Sequence, residues 1–285
     1  MGGYDFQVFW QAGRALLAGL SPYTVEGFFY PLPAAFFFVL FALFPKTVAF
    51  YGWLAFNLTL FFRRLGRRAL AWLLYFPMIH FLSSGQLDLF LWLLARSLTR
   101  GVPSALAASV ITLKPQVAFV VLPHSLVKWL REDRRTLAWF LGFTGLLWGG
   151  PTLLAPGWIR AWRAAVPPLN AHSRSNAPGL WSLERLFPNI TAVVLVLAVA
   201  LFLWGLFQKR EVAWAAAMLA NPSGLFYTTI LMMDAAPPWL LVPLSWLAVV
   251  LSLLGKHFVP WMLLPLAVLL YHRAHWRKPQ WSWHP

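Results

Sequence analysis

Leu137 to Leu154 reads LAWFLGFTGLLWGGPTLL, a run without one charged side chain. If helical, it rises about 27 Å at roughly 1.5 Å per residue, close to the roughly 30 Å hydrocarbon layer of a bilayer. Ile190 to Phe207 and Trp239 to Leu254 are equally apolar. Around these runs, the 285 residues are 60% hydrophobic and 11% charged, more apolar surface than one water-soluble core of that length hides. Lipid is therefore the expected solvent. A β-barrel would alternate apolar and polar side chains, whereas these runs are continuously apolar. The expected fold class is all-α, a polytopic transmembrane helical bundle forming one integral membrane domain over residues 1–285. The 18 Trp and 7 Tyr suit the aromatic belts that settle at the headgroup level.

Net charge is +15, but the basic residues do not form the continuous stripe of a nucleic-acid binder, so no nucleic-acid partner is expected. They cluster between apolar runs: Arg63, Arg64, Arg67 and Arg68; Arg131, Arg134 and Arg135; Lys209 and Arg210; Arg273, Arg277 and Lys278. The positive-inside rule places all four clusters in the cytoplasm. The turns between them then point outward, including an external loop 155–188 with Trp158, Trp162, His172, Arg174, Asn176 and Trp181. Residues 272–285 become a cytoplasmic tail, and Asp234 faces the cytoplasm.

Ala69 to Leu82 covers only about 21 Å as one helix and cannot cross alone. Ser83-Ser84-Gly85-Gln86-Leu87-Asp88 is therefore expected in a recess below the outer surface, where protein or water surrounds it. Ala105 to Leu113 leads in the same way to Lys114-Pro115-Gln116, and Val212 to Ala220 to Asn221-Pro222-Ser223-Gly224. Among membrane helices 31–271, Pro31 to Phe44 is read as a partial dip, which leaves an external loop 3–30 ahead of it. Phe6 to Leu17 reads as an extracytoplasmic interfacial helix, with Gln7, Gln11 and Arg14 on one side and Phe9, Trp10, Gly13 and Leu17 on the other. Asp5 stands just before it, where the positive end of the helix dipole favours a negative charge.

Glu132, Asp133 and Glu211 sit in the basic clusters, so Asp5, Glu26, Asp88, Glu184 and Asp234 remain for specific chemistry. Asp5 is either a helix cap or a catalytic group. Asp88 and Lys114 form either a buried ion pair or a subsite in which Lys114 grips a phosphate while Gln86 and Asp88 bind hydroxyls. His80 and His124 read as packing residues. The chain has no Cys, and no His and carboxylate spacing matches a metal motif, so no metal and no cofactor are expected.

Tyr4-Asp5-Phe6-Gln7-Val8-Phe9-Trp10, Gly19-Leu20-Ser21-Pro22-Tyr23, Tyr30-Pro31-Leu32-Pro33, Gly85-Gln86-Leu87-Asp88, Lys114-Pro115-Gln116 and Asn221-Pro222 follow one another in an order that resembles glycosyltransferase family 87. That family belongs to the GT-C superfamily of membrane enzymes, and the resemblance runs from Tyr4 to about Tyr227. It implies transfer of a hexose such as mannose from a polyprenyl-phosphate-linked donor to a lipid or glycan acceptor, with inversion. Asp5 takes the position of the acidic general base. Lys114 or Arg174 would cradle the leaving phosphate, and Gln86, Asp88 and Asn176 would bind hydroxyls. Arg14, Tyr23, Tyr30, Asn221 and Tyr227, in or beside the motifs, complete the expected substrate-binding set. Family members usually carry a span before the acidic loop, which here implies either a start upstream of Met1 or an absent first helix. A transporter or flippase built on broken helices is the alternative class, and a non-enzymatic scaffold the third.

Overall fold

A computed structural model describes residues 3–168 and 174–275, and among them every regular element is helical. His172, Arg277 and Lys278 lie outside the described residues. The α-helices are α1 (Tyr4–Leu17), α2 (Leu32–Ala42), α3 (Lys46–Leu65), α4 (Ala69–Trp72), α5 (Phe76–Ser84), α6 (Asp88–Arg96), α7 (Val102–Ile111), α8 (Pro115–Glu132), α9 (Arg134–Leu154), α10 (Trp158–Ala165), α11 (Thr191–Gly205), α12 (Arg210–Ala220), α13 (Pro238–Gly255) and α14 (Leu263–Ala274).

By length and composition α9 and α13 can each cross a membrane, and the α2–α3 pair is a third candidate, bent by 109° at its break. Helix α2 alone rises only about 16 Å, short of a hydrocarbon layer of roughly 30 Å. Outward-facing apolar side chains on α9 and α11, such as Leu146 at 72% exposure and Val196 at 67%, have no protein cover. In water this surface would be unfavourable, and lipid removes the penalty.

The opposite case is α12. Its residues Val212 to Ala220 are all buried, so it is apolar on every side because it lies inside the bundle, packed on α8, α11 and α14. Helix α9 starts where Asp133 accepts hydrogen bonds from the Thr136 amide (3.1 Å) and hydroxyl (2.6 Å). Those bonds hold the half-buried Asp133 carboxyl below its usual range.

Three expectations change. The Ala69 to Leu82 run is two helices, α4 and α5, parted where Tyr75 turns extended (φ −70°, ψ 122°), and Pro77 stands in the first turn of α5, where its missing amide hydrogen costs no helix bond. Helix α1 begins at Tyr4, so Asp5 lies inside its first turn rather than before it. The N-cap is Gly3, at φ 85°, and no side chain caps the helix. Finally, the apolar face of α1 is Phe6, Phe9, Ala12 and Gly13 packed against α2, while Leu17, past that contact, is exposed. Gly13 allows the close approach, since a Cβ there would stand 2.7 Å from the Phe38 carbonyl oxygen. Phe9 and Phe38 stack with centroids 4.6 Å apart, and Trp53 closes the cluster edge-on to Phe38 at 5.6 Å.

Candidate functional site

Helix α5 ends at Gly85, whose φ of 72° reverses the chain in a conformation that L side chains rarely adopt. The turn it makes receives the start of α1. The Gly3 amide donates to the Ser83 carbonyl at 2.6 Å, and a Cβ on Gly85 would lie 2.7 Å from Phe6 Cβ. Trp53 Nε1 pins the same turn through the Gly85 carbonyl at 3.1 Å. Asp5 is thereby held beside the segment that leads into α6, whose first residue is Asp88.

The third strand of the site comes from the α7–α8 break. Pro115 fills the first position of α8, where no amide hydrogen is needed, and Lys114 becomes its N-cap. Lys114 Nζ donates to Asp88 Oδ2 at 2.5 Å and to Gln86 Oε1 at 3.4 Å. Exposures of 1% for Asp88 and 2% for Lys114 mark this as a buried ion pair, the first of the two readings offered for these residues. It ties the start of α6 to the start of α8.

Aromatic faces surround the ammonium. Tyr227 lies under it at 4.9 Å and Tyr30 at 5.9 Å. His80 stacks on Tyr227, with centroids 5.1 Å apart and planes within 7°. Three polar atoms here are buried without a hydrogen-bond partner: Asp88 Oδ1, His80 Nε2 and Ser84 Oγ. Buried groups of this kind are costly unless a ligand or water meets them. Together they offer acceptors and a reversible donor beside one cation, a set able to hold a polyhydroxylated, anionic molecule.

From sequence His80 reads as a packing residue, and Ser84 only as part of the polar recess. The available signal was their spacing, since His80, Ser84 and Asp88 recur every four residues up to the recess. His124 does serve packing, as its Nδ1 meets the Leu206 carbonyl at 3.2 Å.

Other expected site residues lie apart from this group. Arg14 is exposed, with its guanidinium 5.8 Å from the Trp10 ring. Arg174 forms a two-point bond with Glu184, at 3.1 and 3.3 Å, and lies over Trp181 at 5.3 Å. Among the described residues no contact joins Arg174 to Lys114, and Asn176 is half-buried in the Arg174 turn. Asn221 is fully buried and its amide is already engaged. It donates to the Gln116 carbonyl at 2.9 Å and accepts from the Ser223 amide and hydroxyl at 3.0 Å each, so it stitches two helix breaks together. Tyr23 lines a separate, largely apolar cavity of about 490 Å³ with Leu16, Leu32, Phe36 and Trp158.

The Trp side chains of the long loop also serve anchoring. Trp162 Nε1 donates to the Phe29 carbonyl at 2.9 Å, Trp158 Nε1 to Thr152 Oγ1 at 3.1 Å and Trp181 Nε1 to the Ala220 carbonyl at 2.8 Å. The Trp162 bond brings loops 3–30 and 155–188 together. No cluster of three or more potential metal ligands occurs among the described residues.

Fold and site thus define a class: an all-helical, membrane-compatible protein with a buried ion pair and unpartnered polar atoms where short helices end. No family model, no curated protein and no solved structure matches the chain.

Proposed function

We propose that this chain is a multi-pass membrane glycosyltransferase of the GT-C type, similar to glycosyltransferase family 87, with its active face extracytoplasmic. It transfers a hexose from a polyprenyl-phosphate donor to a lipid or glycan acceptor. The observation that carries this reading is the buried Asp88–Lys114 pair, walled by Tyr30, His80 and Tyr227, beside the α5 turn on which the start of α1, with Asp5, rests. Helix α8 supports that orientation, since it starts in this group and runs to Arg131, part of a cluster expected on the cytoplasmic side.

In the reaction Asp5 accepts the proton of the acceptor hydroxyl, and the oxygen attacks the anomeric carbon. The bond from that carbon to the phosphate oxygen breaks on the opposite face, giving inversion, and the polyprenyl phosphate leaves with the electron pair. Lys114 offsets the developing negative charge. Asp88 Oδ1, His80 Nε2 and Ser84 Oγ meet sugar hydroxyls, which satisfies all three atoms at once.

The test is turnover of radiolabelled polyprenyl-phosphate mannose by protein reconstituted in vesicles. Asp5→Asn, at normal expression and helicity, should lower transfer about 10²- to 10⁴-fold. Undiminished transfer would remove Asp5 as the base, and sugar crossing the vesicle wall without a glycosidic product would favour a transporter.

A further inference from the structure

A second polar region lies at the arginine-rich end, away from the Asp88 group. There the last turns of α8, the α11–α12 connection and the residues after α6 enclose a cavity of about 900 Å³. Five cations line it, Arg100, Lys128, Arg131, Lys209 and Arg210, against two carboxylates, Glu132 and Glu211. Both carboxylates are already engaged. Glu132 pairs with Arg100 at 2.9 Å, and Glu211 with Arg210 at 3.2 Å and Arg96 at 3.3 Å. Lys128 and Arg131 have no carboxylate partner among the described residues.

Arg131 is instead held over the Phe207 ring at 5.0 Å, an arrangement that orients its guanidinium without neutralising it. The first turn of α12 already holds the Glu211 carboxylate at the positive end of that helix, so the charge left for a ligand is that of α8. Leu98, Leu206 and Phe207 supply an apolar wall, so the cavity joins a cationic floor to a surface compatible with lipid.

We propose that this cavity binds a phosphate group, carried either by an anionic phospholipid of the adjoining leaflet or by a soluble phosphate compound. A cluster that served only to orient the chain in the membrane would need neither a concave shape nor a guanidinium fixed on an aromatic face. The two charges without carboxylate partners, Lys128 and Arg131, form the binding pair.

The experiment uses the full chain in an uncharged detergent, with phosphatidylglycerol, phosphatidylcholine and inorganic pyrophosphate as probes. Bound lipid is counted by native mass spectrometry and pyrophosphate binding by calorimetry. Saturable binding of phosphatidylglycerol in preference to phosphatidylcholine assigns the site to lipid, and saturable binding of pyrophosphate assigns it to a soluble ligand. Lys128→Gln with Arg131→Gln should weaken either interaction about tenfold or more, and Lys128→Gln alone, at an exposed side chain, about fivefold. Arg67→Gln with Arg68→Gln, exposed at another basic cluster, should leave it unchanged. No saturable binding of either probe would overturn the proposal, as would an equal loss in the Arg67 and Arg68 variant. Helicity of each variant is measured alongside.

Discussion

Helix α6 carries Asp88 at its first residue and Arg96 at its last, about 12 Å apart along the axis at 1.5 Å per residue. Both charges complement the helix dipole, yet their surroundings differ. Asp88 has one charged partner, Lys114, at 2.5 Å, and its second oxygen has none. Side-chain exposures there are 2% and 3%. Arg96 also keeps one buried atom without a partner, its Nε, but divides the rest of its guanidinium between Asp234 at 2.8 Å and Glu211 at 3.3 Å, and those carboxylates are 32% and 22% exposed. Asp234 reaches this network from a backbone at φ 63°. The wet end shares its charges and can lose a partner, because solvent and neighbours compensate. The dry end cannot, because removing either partner leaves a buried charge uncompensated.

Breaking the dry pair is the severest challenge to that contrast. Lys114→Met leaves the Asp88 carboxylate buried and unpaired, and should cost about 3–5 kcal/mol in thermal unfolding of the detergent-solubilised chain. Adding Asp88→Asn should recover more than half of that loss, because the uncompensated charge is its cause. A cost for Lys114→Met no greater than that of Arg96→Gln would end the comparison.

Next in size comes the turn that positions the dry end. Gly85→Ala combines a positive φ with a Cβ placed 2.7 Å from Phe6 Cβ, and should cost about 1–3 kcal/mol. It should also loosen α1, read as faster proteolysis near Tyr4. At the wet end Arg96→Gln should cost about 1 kcal/mol, since Glu211 keeps Arg210 and Asp234 is partly solvated. The smallest effect belongs to Arg14→Gln. On the exposed side of α1 it should change stability by less than about 0.5 kcal/mol and leave sugar transfer unaltered.

Some of the candidate site was legible before any tertiary information. The breaks at Gly85, Lys114-Pro115 and Asn221-Pro222 announce themselves through Gly and Pro, and the scarcity of acids narrowed the choice to a few positions. Other parts were not legible for particular reasons. Asn221 looked available because a side-chain amide in a turn has no assigned partner in one dimension, and Gln116, 105 positions earlier, takes it up only in the fold. Arg174 looked like a phosphate ligand, but Glu184 ten residues later neutralises it. His80 looked like packing because its neighbours in sequence are apolar, whereas Tyr227 reaches it from a distant segment.

The amino-acid sequence by itself determined the membrane-compatible apolar character, the helical class and the places where helices stop. Those properties depend on local quantities: hydropathy over about 20 residues, the missing amide hydrogen of Pro and the backbone freedom of Gly. Only the tertiary structure decided which polar groups remain unsatisfied. That outcome depends on pairings across the chain, since Lys114 meets Asp88, 26 positions earlier, only where α6 and α8 are brought together.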